Sequence, residues 1–321
     1  MSGKKKYEEI NSLKGLAIVC VLFCHSIILY PVNLLENDLW REIFKFFGSV
    51  PMPLFFLVSG YCFSYKGNYK DFLCKKALRL MLPYVIFGLA DVIPRQLLSS
   101  LVNRPSSIGE SLKSMIFYGG QYWFLYTLFV VFVIYPFIYL WQKDSTAKKI
   151  VVEVIALVLT LVEVDVTFIC LNSIMQYLFF FNTGALLKMS KIDIFELDKL
   201  HAGLREIAMI GLFVIWGALS LFVPYTNVTR TIMGVLGCVV FFLLTKYKMT
   251  NWIFSRVGDY SLQLYLLNGF LLVVSRTIIC SLTQIPFLIV SFNMLITFVC
   301  SYLFIKYFCK RFKFIRVLMG M

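Results

Sequence analysis

Ten apolar runs divide the chain, near 12–31, 49–65, 77–97, 121–141, 150–168, 170–187, 207–224, 231–245, 257–277 and 286–305, each bounded by polar or charged clusters. A helix needs about 20 apolar residues to cross hydrocarbon, so the pattern predicts an all-α, polytopic bundle of about ten transmembrane helices. An even number of crossings returns the chain to the side on which it starts. Of the 31 Lys and Arg residues, 24 fall on the side that holds MSGKKK, KYFCKRFKFIR and the loops beginning at Lys66, Lys143, Lys188 and Lys246. Basic loops are retained in the cytoplasm, so both termini are expected there. Arg41, Lys45, Arg95, Arg104, Lys113, Arg230 and Arg276 are left for the other face.

Composition narrows the class. Of 321 residues, 60% are hydrophobic and 15% charged, with a mean hydropathy of +0.81. A soluble globular domain, a disordered chain and a disulfide-stapled secreted module are all excluded by such a balance. The net charge of +14 is mostly topological and does not point to nucleic acid. No interspan loop is large enough for a soluble enzyme, so residues 1–321 are expected to form one transmembrane domain whose helices and helix ends carry any chemistry. The first run lacks a small-residue cleavage site and is read as a retained helix. A multi-pass protein of the cell membrane, fitting a bacterial cytoplasmic membrane, is the expected location. The nine cysteines show no CxxC and no partner histidine at ligand spacing, so they read as apolar fillers and no metal is expected.

Against this background the intramembrane polar residues stand out. His25 lies in the first run, and an ionisable side chain inside a spanning helix is costly enough to default to a functional role. Lys14 sits 11 residues earlier, on the same helical face and about 16 Å away along the axis, with Asn11 near that face. A neutral imidazole can take a proton from a hydroxyl that attacks a carbonyl, so His25 is the candidate general base. The other histidine, His201, lies in an inner loop and reads as solvated.

Lys75, Lys76 and Arg79 cluster at the start of the third run, where cations can meet phosphates, with Pro83 just beyond. Ser59 and Gly60 are small enough to let the second span approach another helix. Glu163 and Asp165 fall near the outer end of the fifth span; either is water-exposed or orients an imidazole or an acceptor. In the ninth span, Asp259 can cap the helix, while Ser261, Tyr265 and Asn268 form one polar stripe.

These landmarks together resemble the acyltransferase 3 family, multispanning membrane enzymes that O-acetylate cell-surface glycans. The elements that match in order are LKGLAIVCVLFCHS (Lys14, Gly15, His25), PLFFLVSGY (Pro53 to Tyr61), the basic run ending in LPY (Arg79, Pro83, Tyr84), YWFL (Trp123, Phe124), FFFNTGALL with Gly184, and SLQLYLL. The resemblance implies acetyl transfer from acetyl-CoA to a hydroxyl of an extracytoplasmic polysaccharide or glycan precursor. It implies His25 as the catalytic residue, Lys14, Lys75, Lys76 and Arg79 as donor-binding, and Ser59, Tyr61, Trp123, Glu163, Tyr265 and Asn268 as substrate-contacting or supporting. Direct transfer and an acyl-histidine intermediate both fit. Two positions depart from the family pattern: Pro51 and Asn268 stand where relatives often carry histidine. The glutamate many relatives carry after the Trp element has Glu163 as its loose counterpart here. A transporter of a glycan precursor or small acid, and a non-catalytic relative acting as an assembly subunit, are the alternative classes.

Overall fold

A computed structural model describes residues 3–27, 33–97, 107–190 and 202–321. His201 and most of the loop around it lie outside the described residues, as does much of the loop around 98–106. Among the described residues the chain is helical throughout, with no strand. Among the described residues each of the ten predicted runs contains helix, and the chain is a multi-pass membrane protein.

The helices are α1 (Gly3–Ile27), α2 (Asp38–Gly48), α3 (Pro51–Tyr61), α4 (Tyr69–Lys76), α5 (Leu82–Leu97), α6 (Ile108–Tyr118), α7 (Trp123–Gln142) and α8 (Thr146–Leu161). They continue as α9 (Leu171–Met189), α10 (Ala202–Phe222), α11 (Asn227–Leu244), α12 (Lys248–Gly258), α13 (Ser261–Leu282), α14 (Pro286–Leu303) and α15 (Lys313–Leu318). Among the described residues, seven stretches are long and apolar enough to cross a membrane. The remaining runs fall short for visible reasons. The regular helices α5 and α8 have 16 residues each, and Asn172, Gln176 and Asn182 interrupt the apolar face of α9.

Three predicted boundaries move. The run at 49–65 becomes the 11-residue α3, entered through Pro51 at its first position and preceded by the amphipathic α2, where a loop was expected. The run at 150–168 stops at Leu161, because Val162 turns extended and residues 162–167 leave the helix. The run at 257–277 is broken: α12 ends at Gly258 and α13 begins at Ser261. Asp259 therefore does not cap α13. It closes α12, while Tyr260 stands at the start of α13 without a side-chain cap.

Two close helix crossings organise the bundle. At α3 against α9, a Cβ on Gly60 would collide with the Phe181 carbonyl and one on Gly184 with the Leu57 carbonyl. Gly60 of the small pair thus does the packing expected of it. At α1 against α12, Gly15 faces the Phe254 carbonyl and Gly258 the Asn11 carbonyl in the same way. A buried ion pair, Lys246 to Glu9 at 3.1 Å, ties the end of α11 to the start of α1. That pair fixes which ends of the bundle share a face: α1 starts where α11 ends.

Candidate active site

A cavity of about 910 Å³ opens at the face where α1 starts. Its walls come from α1, α3, the α4–α5 segment, α7, the α12–α13 break and the residues around α15. Lys14, Lys75, Lys76, Arg79 and Lys310 all line it, so the sequence-predicted cations converge on one space and a fifth joins them. The volume lies in the range of ligand-binding cavities, roughly 300–1,000 Å³.

Local chain geometry presents these cations. Between α4 and α5, residues Ala77–Met81 wind as a π-segment carrying Arg79, a wider turn frequent at functional sites. Lys76 lies over the Phe132 ring, 3.9 Å from its centroid, and is half-buried there. Burial, with Arg79 nearby, holds its ammonium down at about 8. On α1, Lys14 donates to Asn11 Oδ1 at 3.4 Å, and Asn11 Nδ2 donates to Asp259 Oδ1 at 2.6 Å. Lys14 and Asn11 therefore face the cavity together and are anchored across to the α12–α13 break, while His25, the far end of the expected stripe, is not among the lining residues. Ser261, Leu262 and Gln263, the first turn of α13, also face the cavity, adding the positive end of a 22-residue helix to the cations. A second π-segment, Phe304–Cys309, delivers Lys310, whose ammonium sits 4.4 Å from the Tyr260 ring centroid.

The inner end of the cavity is aromatic. Phe124 and Tyr265 line it, with ring centroids 5.7 Å apart. One helical turn beyond Tyr265 on α13 is buried Asn268, whose amide lies 2.5 Å from His25 Nδ1. The atom that faces Nδ1 is the amide nitrogen Nδ2, placed to donate to the ring, while Asn268 Oδ1 is buried without a hydrogen-bond partner among the described residues. The two departures from the family pattern thus have different surroundings. Pro51 starts α3, whereas Asn268 is the direct partner of the catalytic candidate.

Arg276, assigned by sequence to the outer face, is buried at 2% exposure and donates to the His25 carbonyl at 2.7 Å. The last carbonyls of a helix lack intrahelical donors, so a guanidinium entering the interior there meets a ready acceptor. The Asn293 amide oxygen accepts from the same guanidinium.

The other expected residues scatter. Ser59 lines the cavity. Tyr61 is buried in the α3 packing face against α9. Trp123 opens α7 and stacks on Tyr177, 6.0 Å between centroids. Glu163 is exposed in the segment after α8 and does not line the cavity. A half-buried carboxylate lies instead at Glu153 on α8, which accepts from Asn182 Nδ2 at 2.6 Å and from the Thr183 hydroxyl. Tyr135 and Gln142 of α7 complete this network through Asn182 Oδ1, at 2.7 and 2.9 Å. The signal was present as a lone acid in the apolar run KKIVVEVIALVL.

Comparison with protein families decides the class: the acyltransferase domain designated acyltransferase 3 matches residues 7–306. The chain belongs to the acyltransferase 3 family. No similar protein is found among curated proteins. No solved structure matches either. As a family member the protein is a membrane acyltransferase, and the match reaches from the start of α1, through the cavity, to the π-segment before Lys310.

Proposed function

We propose that this membrane acyltransferase moves an acetyl group from cytoplasmic acetyl-CoA to a hydroxyl of a cell-surface polysaccharide or glycan precursor, with His25 as general base. One observation carries the reading: a cavity lined by five cations also has Phe124 and Tyr265 in its wall, and Tyr265 stands one helical turn from the His25–Asn268 pair. Such a space fits a donor with a polyphosphate head and a long, narrow, acyl-bearing arm.

The phosphates of the donor are held by Lys75, Lys76, Arg79 and Lys310, with Lys14 further along α1. The pantetheine arm extends past Tyr265 and brings the thioester carbonyl to His25. The acceptor hydroxyl arrives from the opposite face. The His25 imidazole takes its proton as the hydroxyl oxygen bonds to the carbonyl carbon, and the carbon–sulfur bond then breaks. The proton on the imidazolium passes to the departing thiolate, leaving neutral histidine, an acetyl ester and free CoA. Asn268 and Arg276 are positioning residues, one through the ring and one through the backbone carbonyl.

Acetyl-labelled acetyl-CoA supplied to the cytoplasmic side of membrane vesicles tests the reading. Label bound covalently to glycan on the far side is expected. Uptake of a small acid or glycan precursor without covalent change would make the protein a transporter. Absence of any transfer across a panel of acceptors would make it a non-catalytic relative.

A further inference from the structure

The face opposite the donor cavity carries a cation that the proposed transfer does not use. Arg230 lies in the first turns of α11, 16 residues before Lys246 and so about 24 Å along the helix from the α1-start face. Its guanidinium is half-buried and meets only neutral acceptors among the described residues: Asn227 Oδ1 at 2.5 Å and the amide oxygen of Gln176. A guanidinium presents a fixed fork of five N–H donors, a geometry suited to paired hydrogen bonds with a carboxylate or phosphate.

Aromatic rings flank this cation and join it to the donor cavity. Tyr177 directly follows Gln176, whose amide meets Arg230. Its ring stacks on Phe56 at 4.9 Å between centroids, and Phe56 meets Phe124 at 5.5 Å, a ring that lines the donor cavity. Exposed Tyr225 immediately precedes Thr226, the residue that caps α11 one turn before Arg230. A ligand seated at Arg230 is therefore joined through packed rings to the wall of the donor cavity.

We propose that Arg230, Gln176, Tyr177 and Tyr225 form an acceptor-side subsite that binds a carboxylate or phosphate group of the incoming glycan, making the acceptor an anionic glycan. The assignment rests on the acetyl-transfer reading above. A guanidinium forms paired hydrogen bonds with either anion, and flat aromatic faces pack against the apolar faces of sugar rings.

Titration calorimetry on the full chain purified in detergent, with maltotriose, a phosphorylated maltotriose and trigalacturonate, tests it. At least one anionic sugar should bind roughly ten-fold tighter than maltotriose, and Arg230→Gln should erase that advantage while Arg230→Lys keeps part of it. Preference for trigalacturonate or for the phosphorylated sugar names the source of the anion. Acetyl-CoA affinity, measured on each variant, should be unchanged and reports that the bundle is intact. Equal affinity of the wild-type protein for all three sugars overturns the proposal, as does an Arg230→Gln variant that retains the preference. If Arg230→Gln loses acetyl-CoA binding, the wild-type comparison and Arg230→Lys decide. Anion preference without acetyl transfer in vesicles would refute the transfer reading and leave the subsite standing.

Discussion

At the scale of single residues, the site depends on how two uncharged or buried groups hold one imidazole. Asn268 contributes an amide where relatives often have histidine, and its contact with His25 Nδ1 fixes the ring. Asn268→Leu should lower kcat roughly ten-fold with little change in the donor KM, since it removes positioning and not binding. Asn268→His, which can still accept or donate at that place, should retain most activity; steady-state kinetics of both variants check this. Lys76 gives a pH dependence. Its ammonium, held down at about 8 mainly by burial, is charged below that value and neutral above it. The KM for acetyl-CoA should therefore rise as pH climbs from 7 to 9, and Lys76→Arg, charged throughout, should flatten the rise. His25, Lys14 and the Lys75–Arg79 run were legible from sequence because charge in an apolar background is conspicuous. Glu153 was equally conspicuous, but its hydrogen-bonding partners lie 29 and 30 residues away on another helix, so its role was not.

At the scale of elements, hydrophobic patterning located the helices but not their breaks. The interruption at Gly258–Tyr260 falls inside an apolar run and is set by the close approach of α12 to α1, where only glycine fits between Asn11 and Gly258. The same break turns the start of α13 toward the cavity and frees Asp259 to anchor Asn11, so the polar stripe on α13 was read correctly while the cap was not. The α2 helix escaped notice for a different reason: its apolar residues, Phe46 and Phe47 among them, are covered by Trp216 and Phe23 from distant helices. The α3–α9 crossing offers a stability test. Gly184→Leu would drive a side chain into the Leu57 carbonyl and should destabilise the bundle by about 1–3 kcal/mol or more. A lowered thermal midpoint in detergent, with a parallel loss for Gly60→Leu, is the expected result.

At the scale of the whole molecule, the bundle keeps two chemically different faces apart. The α1-start face carries Lys14, Lys75, Lys76, Arg79 and Lys310 around one cavity. The opposite face carries Arg230 with Tyr177 and Tyr225, and the ring series through Phe56 and Phe124 runs between them. Sequence pattern indicated the class, since charge bias and ordered landmarks survive without coordinates. It could not place Lys310 beside Arg79, because their proximity follows from the return of the chain end beneath α13, held by Gln263 donating to the Met319 carbonyl at 2.9 Å. Label transfer from acetyl-CoA to glycan in vesicles containing His25→Ala, compared with wild type at equal protein and equal acetyl-CoA affinity, addresses the central claim most directly. Loss of transfer by a factor of about 100–10,000 with donor binding intact is the result expected for removal of a general base. Transfer at the wild-type rate in that variant would contradict it.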